Sequence, residues 1–259
     1  MKKPAVLGIT AAAVVGLLAA TVYSHFQVLV PSRDVVPAAG DRTVDLEIIF
    51  THPMEGGPVM EMGKPRQFGV LVGGRKHDLM GSLKARKVQG KTAYASSYKV
   101  KRPGDHVFYI EPAAYWEPAE QKMIVHYTKV VVDGMGGGEG WDAMVGFPVE
   151  IEPLVRPYGL WTGNLFRGIV KRSGKPVPFA EIEVEYYNKA GKVKPPADAF
   201  VTQVIKADAS GVFAYAMPRA GWWSFAALVD GDEKMNNPQG KPVDVELGAL
   251  IWVKTVDMK

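Results

Sequence analysis

Five histidines carry most of the chemistry this chain can offer: His25, His52, His77, His106 and His126. There is no cysteine, which excludes disulfides, thiolate zinc sites, iron–sulfur ligation and thiol catalysis. Imidazole, carboxylate and thioether groups remain. His25 stands out by position, directly after Val22-Tyr23-Ser24, where Val22 and Ser24 are acceptable residues at the third and first places before a signal-peptidase cut. A cut after Ser24 would put a free α-amine and an imidazole on one residue. Amine and Nδ1 together would close a chelate ring on one ion, and such nitrogen donors suit Ni²⁺, Co²⁺ or Cu²⁺ better than oxygen-seeking cations.

His52 is the second candidate. It lies in Phe50-Thr51-His52-Pro53-Met54-Glu55-Gly56-Gly57-Pro58-Val59-Met60-Glu61-Met62, at the end of a strand expected over Val44–Phe50, where a loop on a rigid scaffold can carry function. Glu55 and Met60 are weaker donors in the same stretch. Met60 and Met62 would share one face of a strand, which fits core packing. His126, in Val125-His126-Tyr127-Thr128-Lys129-Val130, is a third possible donor. His77 falls in a polar turn and reads as exposed, and His106 shares a strand face with Phe108 and Ile110 and reads as interior. No His-x-x-x-His or His-Glu-x-x-His spacing occurs, so no helical zinc-protease site is indicated. The tract Gly134–Gly140 lacks the Gly-Lys-Ser/Thr ending of a phosphate loop and reads as a plain turn. Without a Gly-x-Ser-x-Gly elbow or a convincing carboxylate pair, a hydrolase has little support and no catalytic role is expected.

The elements that must position these residues are strands. Residues 1–24 have the build of a signal peptide, with Lys2-Lys3 ahead of an apolar run from Ala5 to Val22. Export to the periplasm follows, or membrane anchoring if the leader stays attached, because the run approaches the roughly 17–25 residues of a spanning helix. The net charge of +4 over 259 residues falls further once the two leader lysines are removed. No basic cluster suggests nucleic acid. Val44-Asp45-Leu46-Glu47-Ile48 alternates apolar and acidic residues as a half-buried strand does. Short apolar runs at Phe68–Val72, Ala93–Val100, His106–Ile110 and Met123–Val132 alternate with Gly/Pro turns, and no window holds a capped helical period. An all-β fold of two β-sandwich domains in tandem is expected, with a metal-binding domain over 25–152 and a second sandwich over 153–259. The Pro-bearing stretch Glu150–Pro157 would join them. In the second half, Ala180–Tyr186 alternates strictly, which places Ile182, Val184 and Tyr186 inward and Glu181, Glu183 and Glu185 toward water.

Two family resemblances add to this reading. Gly168–Val184 together with Asp208-Ala-Ser-Gly211-Val-Phe213 resembles a transthyretin-like or carboxypeptidase-regulatory-like sandwich. Five further segments, His25-Phe-Gln-Val-Leu-Val-Pro-Ser, Phe50-Thr-His-Pro-Met-Glu-Gly-Gly, Met60-Glu-Met-Gly-Lys-Pro, Leu160-Trp-Thr-Gly-Asn-Leu-Phe-Arg-Gly and Ala220-Gly-Trp-Trp-Ser-Phe-Ala-Ala-Leu, resemble the periplasmic component of nickel/cobalt uptake transporters of the energy-coupling-factor type. That resemblance implies a mature chain beginning at His25, His52 as the internal ligand, and delivery of Ni²⁺ or Co²⁺ to a membrane permease. Two rival readings stay open: a copper-binding sandwich using the Met54/Met60/Met62 thioethers, and a metal-free structural or adhesive module. The Trp222-Trp223 pair would serve as a docking patch or fill a core.

Overall fold

The computed structural model describes residues 25–259; the leader expected over residues 1–24 lies outside the described residues. The fold is all-β, with two single-turn 3-10 segments as the only helical elements among the described residues. Three sheets carry it. The first is antiparallel, in the order Phe26–Pro31, Thr43–Thr51, Lys91–Lys99, Lys84–Val88. The longest runs Gln203–Lys206, Glu181–Tyr186, Gly221–Asp230, Val245–Val256, Lys122–Gly134, Gly104–Glu111, Gln67–Val72, Arg75–Asp78. The third joins Val149–Pro153, Leu165–Arg172 and Val212–Ala216.

At the middle of the long sheet, Lys122–Gly134 and Val245–Val256 lie parallel, in register from Met123 opposite Val245 to Val130 opposite Trp252. Both strands are buried over almost their whole length, as a strand covered on two faces must be. Because successive side chains leave opposite faces, the two strands divide the interior. Met123, Val125, Tyr127 and Val131, with Val245, Ala249, Ile251 and Val253, enter one apolar cluster alongside the third sheet. Ile124, Val130 and Val132, with Leu250 and Trp252, enter a second cluster under the first sheet, beside Phe26, Val28, Leu46 and Ile48. The central sheet thus runs across the segment around residue 153. Trp252 pins the first sheet to it, donating its indole N–H to the Gln27 carbonyl at 2.9 Å.

The observed strands Thr43–Thr51 and Lys122–Gly134 contain the runs read from sequence, and Met60 and Met62 are buried in the second cluster. His77 is exposed and His106 is fully buried, its Nδ1 2.8 Å from the Gly104 carbonyl. Burial lowers the His106 pKa. Trp223 is buried, while Trp222 is half-exposed. One expectation needs correcting. Glu181 faces water, but Glu185 is 1% exposed, because the loop after His52 lies over that end of the strand. Glu185 accepts the Met54 N–H at 3.0 Å and the Thr202 hydroxyl at 2.5 Å. Alternation reports which face a residue occupies, and what covers that face is decided by chain from elsewhere.

Candidate metal centre

The register of the first sheet sets the site. Phe26 pairs with Thr51 and Gln27 with Phe50, so the next step along the ladder brings His25 opposite His52. Cross-strand neighbours on one face stand close enough for their side chains to touch, and the two imidazole centroids are 4.4 Å apart. His52 precedes Pro53, which favours extended backbone and carries the strand's direction one residue beyond Thr51. The chain then turns sharply: the amides of Gly56 and Gly57 both donate to the His52 carbonyl, at 3.1 and 3.3 Å.

The long sheet supplies the opposite wall. His126 occupies the same face as Ile124 and Val130, the face turned toward the first sheet, and its ring centroid lies 5.9 Å from that of Phe50. His126 pairs in register with Gly248, and a Cβ added there would come within 2.4 Å of His126 Cδ2. The missing side chain is what gives the ring its slot. Gly248→Ala should therefore push the ring aside and cost about 1–3 kcal/mol, measured by urea unfolding, with a shift of the His126 ring resonances in the folded state. No loss of stability would show that the slot is not filled as described.

Carboxylates reach two of the rings. His25 Nε2 lies 3.3 Å from Glu117 Oε2, on the short strand Tyr115–Glu117 that pairs with the start of Lys122–Gly134. His126 Nε2 lies 3.5 Å from Glu246 Oε1, and Glu246 also holds the Lys122 ammonium at 2.5 Å. Burial alone would raise the Glu246 carboxyl, but its hydrogen bonds and charge interactions with His126 and Lys122 outweigh that and hold it at about 2. His25 is shifted the other way: burial, then the neighbouring His52 and His126 imidazoles, take it down to about 4 against the pull of Glu246. The His25 ring is neutral at pH 7. With its proton on Nε2, facing Glu117, Nδ1 keeps its lone pair. The His126 Nδ1 is buried without a hydrogen-bond partner, while Nε2 meets Glu246. A carboxylate that fixes one ring nitrogen and leaves the other basic is the usual support of a metal-ligating histidine.

Of the residues singled out from sequence, His25 and His52 come together, and His126 lies on the facing strand with its ring 5.9 Å from that of Phe50. Glu55 is exposed on the turn beyond Met54, and Met60 is buried in the second apolar cluster with its amide donating to the Phe50 carbonyl at 2.8 Å. Among the described residues no group of three or more His, Cys, Asp or Glu side chains is arranged so that it could hold a metal ion. Glu117 and Glu246 were missed. Each sits in a run whose alternation suggests a solvated carboxylate, and no local spacing ties either to a histidine.

The site and fold define an all-β sandwich protein with a buried cluster of imidazoles and carboxylates between two sheets. Residues 22–231 match the model of the DUF4198 family, described as a domain of unknown function, and the chain belongs to that family. Curated proteins yield no match. Among solved structures, the chain is similar to the D0-D1 domain of intimin, at 11% identity over 90% of this chain and 100% of that one, with a TM-score of 0.24. It is also similar to trypsin-activated alpha-2-macroglobulin from Escherichia coli, at 12% identity over 89% of this chain and 16% of that one, TM-score 0.26. An I-band fragment of titin matches at 11% identity over 89% of this chain and 65% of that one, TM-score 0.20.

Proposed function

We propose that the protein is an exported binder of a first-row transition metal, Ni²⁺ or Co²⁺, working as the accessory component of a metal-uptake transporter and passing the ion to a membrane permease. The observation that carries the reading is the 4.4 Å approach of the His25 and His52 rings. Around it, imidazoles and flanking carboxylates make a donor set suited to such an ion. In the processed chain the His25 α-amine and Nδ1 form the chelate, His52 supplies a further nitrogen, and the Nδ1 of His126 is the third imidazole donor. Glu117 and Glu246 orient the rings. An α-amine of ordinary basicity, about 7.7, must lose its proton to bind, so affinity falls as the pH drops below that value, while the His25 ring stays available down to about pH 4. Cu²⁺ would bind the same nitrogens more tightly. Selection for nickel or cobalt therefore rests on geometry and supply.

The test begins with the N-terminus of the exported protein. Mass spectrometry should find His25 as the first residue. Calorimetric titration with Ni²⁺, Co²⁺ and Cu²⁺ should show one site per chain in the wild type, lost or weakened at least a hundredfold in His52→Ala. Glu117→Gln keeps the shape but weakens the hold on His25 Nε2, and should cost about 10–100-fold in affinity. An intact leader, or titrations unchanged by His52→Ala, would remove the proposed site.

A further inference from the structure

Apart from the imidazole cluster, a partly open cavity of about 750 Å³ lies between the first sheet and the second half of the chain. This is within the roughly 300–1,000 Å³ typical of small-molecule sites. Its floor is the outward face of the Thr43–Thr51 strand, with Asp45 and Glu47, and the edge strand beside it brings Lys84 and Arg86. The far wall is the turn following Tyr186, which carries Tyr187, Lys189 and Lys192, together with Arg219 and Trp222.

The charges in this cavity do not cancel. Five cationic side chains face two carboxylates. Glu47 is already satisfied: Arg86 donates to it at 2.8 Å, Lys189 at 2.9 and 2.8 Å, and the Tyr187 hydroxyl at 3.1 Å. Burial opposes its ionisation, but the hydrogen bonds from Lys189 and Arg86 prevail and its pKa lies below the ordinary value. Lys84, Lys192 and Arg219 have no acidic partner among the described residues.

The wall is held in shape before any ligand arrives. Asn188 donates its amide N–H to the Pro53 carbonyl at 3.0 Å and its side-chain N–H to the Met54 and Val193 carbonyls at 2.9 and 2.8 Å. Its side-chain oxygen accepts the Val193 N–H at 3.0 Å. The turn bearing Lys189 and Lys192 is therefore closed on itself and fastened to the loop after His52. Pre-ordered cations beside half-exposed aromatic rings match one ligand chemistry: charged donors meet an oxyanion, and flat rings receive a flat ring. We infer that this cavity binds a small organic anion that carries a planar ring system, at a site separate from the metal centre.

The probes are 2-naphthoate, its neutral counterpart 2-naphthamide, phenyl phosphate and inorganic phosphate, titrated into the purified chain by calorimetry and by tryptophan fluorescence. At least one of the two ring-bearing anions should bind at submillimolar concentration, with 2-naphthamide and inorganic phosphate each at least tenfold weaker than it. Lys84 and Lys192 are exposed, so the Lys84→Glu/Lys192→Glu variant should fold with an unchanged melting temperature and lose at least tenfold in affinity for that anion. Trp222→Ala should weaken it as well, and Ni²⁺ titrations of both variants should match the wild type whether or not the metal proposal holds. The inference is overturned if neither ring-bearing anion binds, if neutral ring or bare phosphate binds as well, or if the charge-reversed variant binds as the wild type does.

Discussion

Replacing Glu150 with alanine is expected to destabilise the fold by about 3–5 kcal/mol, the cost of stranding a buried charge whose partner has been removed. Lys129 is 1% exposed and Glu150 3% exposed, and the ammonium sits 2.7 Å from the carboxylate. The carboxylate has a second task. It accepts the amide N–H groups of Val145, Gly146 and Phe147 at 2.7, 2.9 and 3.3 Å, and so closes the loop that packs Val145 and Phe147 into the first apolar cluster. Alanine would leave those amides without their acceptor and Lys129 without its counter-charge. Burial already lowers the Lys129 pKa and Glu150 is the main influence opposing it, so in Glu150→Ala the ammonium should deprotonate more readily. The Lys129→Met/Glu150→Gln double variant removes the charges, keeps an oxygen for the loop amides, and should recover most of the loss. Urea unfolding of the three proteins measures both effects. A Glu150→Ala cost below about 1 kcal/mol, the scale of an exposed pair, would show that water reaches this site.

This pair also marks a limit of what periodicity could reveal. In Met123–Val132 the apolar residues fall on both faces of the strand, so the run is recognisable as a strand and Lys129 within it is not distinguishable from an edge lysine. Its burial depends on Glu150, twenty-one positions away in sequence. The proposed metal centre was legible to a similar depth. His25 and His52 could be named from a cleavage pattern, a strand end and a family resemblance, and His126 from its place in an apolar strand. Their meeting requires the Phe26–Pro31 and Thr43–Thr51 pairing and the packing of that sheet on Lys122–Gly134, which are tertiary facts. Glu246 was hidden more thoroughly. It reaches His126 because Val245–Val256 returns to pair parallel with Lys122–Gly134, a long-range contact that leaves no local mark except Gly248, whose role as a slot is visible only once the partner strand is known. The all-β class and most strand positions needed nothing beyond alternation and Gly/Pro punctuation.

Glu185→Gln is expected to stabilise the protein at pH 8 and to leave it nearly unchanged at pH 4.5. Burial is the main cause that lifts the Glu185 pKa from 4.5 to about 8, with Glu183 and Glu55 adding to it and the hydrogen bonds from Thr202 and Met54 opposing it. At neutral pH the folded chain therefore holds a proton on this carboxyl that the unfolded chain has released. A state that binds more protons loses ground as the pH rises, so the wild type gives up stability progressively between about pH 4.5 and pH 8, and by no more than a few kcal/mol in total. Glutamine mimics the protonated acid. Its carbonyl can accept the Met54 N–H and its amide can donate to the Thr202 hydroxyl, so the native contacts survive without the penalty. The difference between variant and wild type, followed by thermal or urea unfolding from pH 4.5 to 8.5, should open steadily across that window. A constant difference would mean that Glu185 ionises at its ordinary pH in the folded chain. The residue matters to function through its partner: the Met54 amide belongs to the loop that begins at His52, and Glu185 and Asn188 together fix that loop to the second half of the chain.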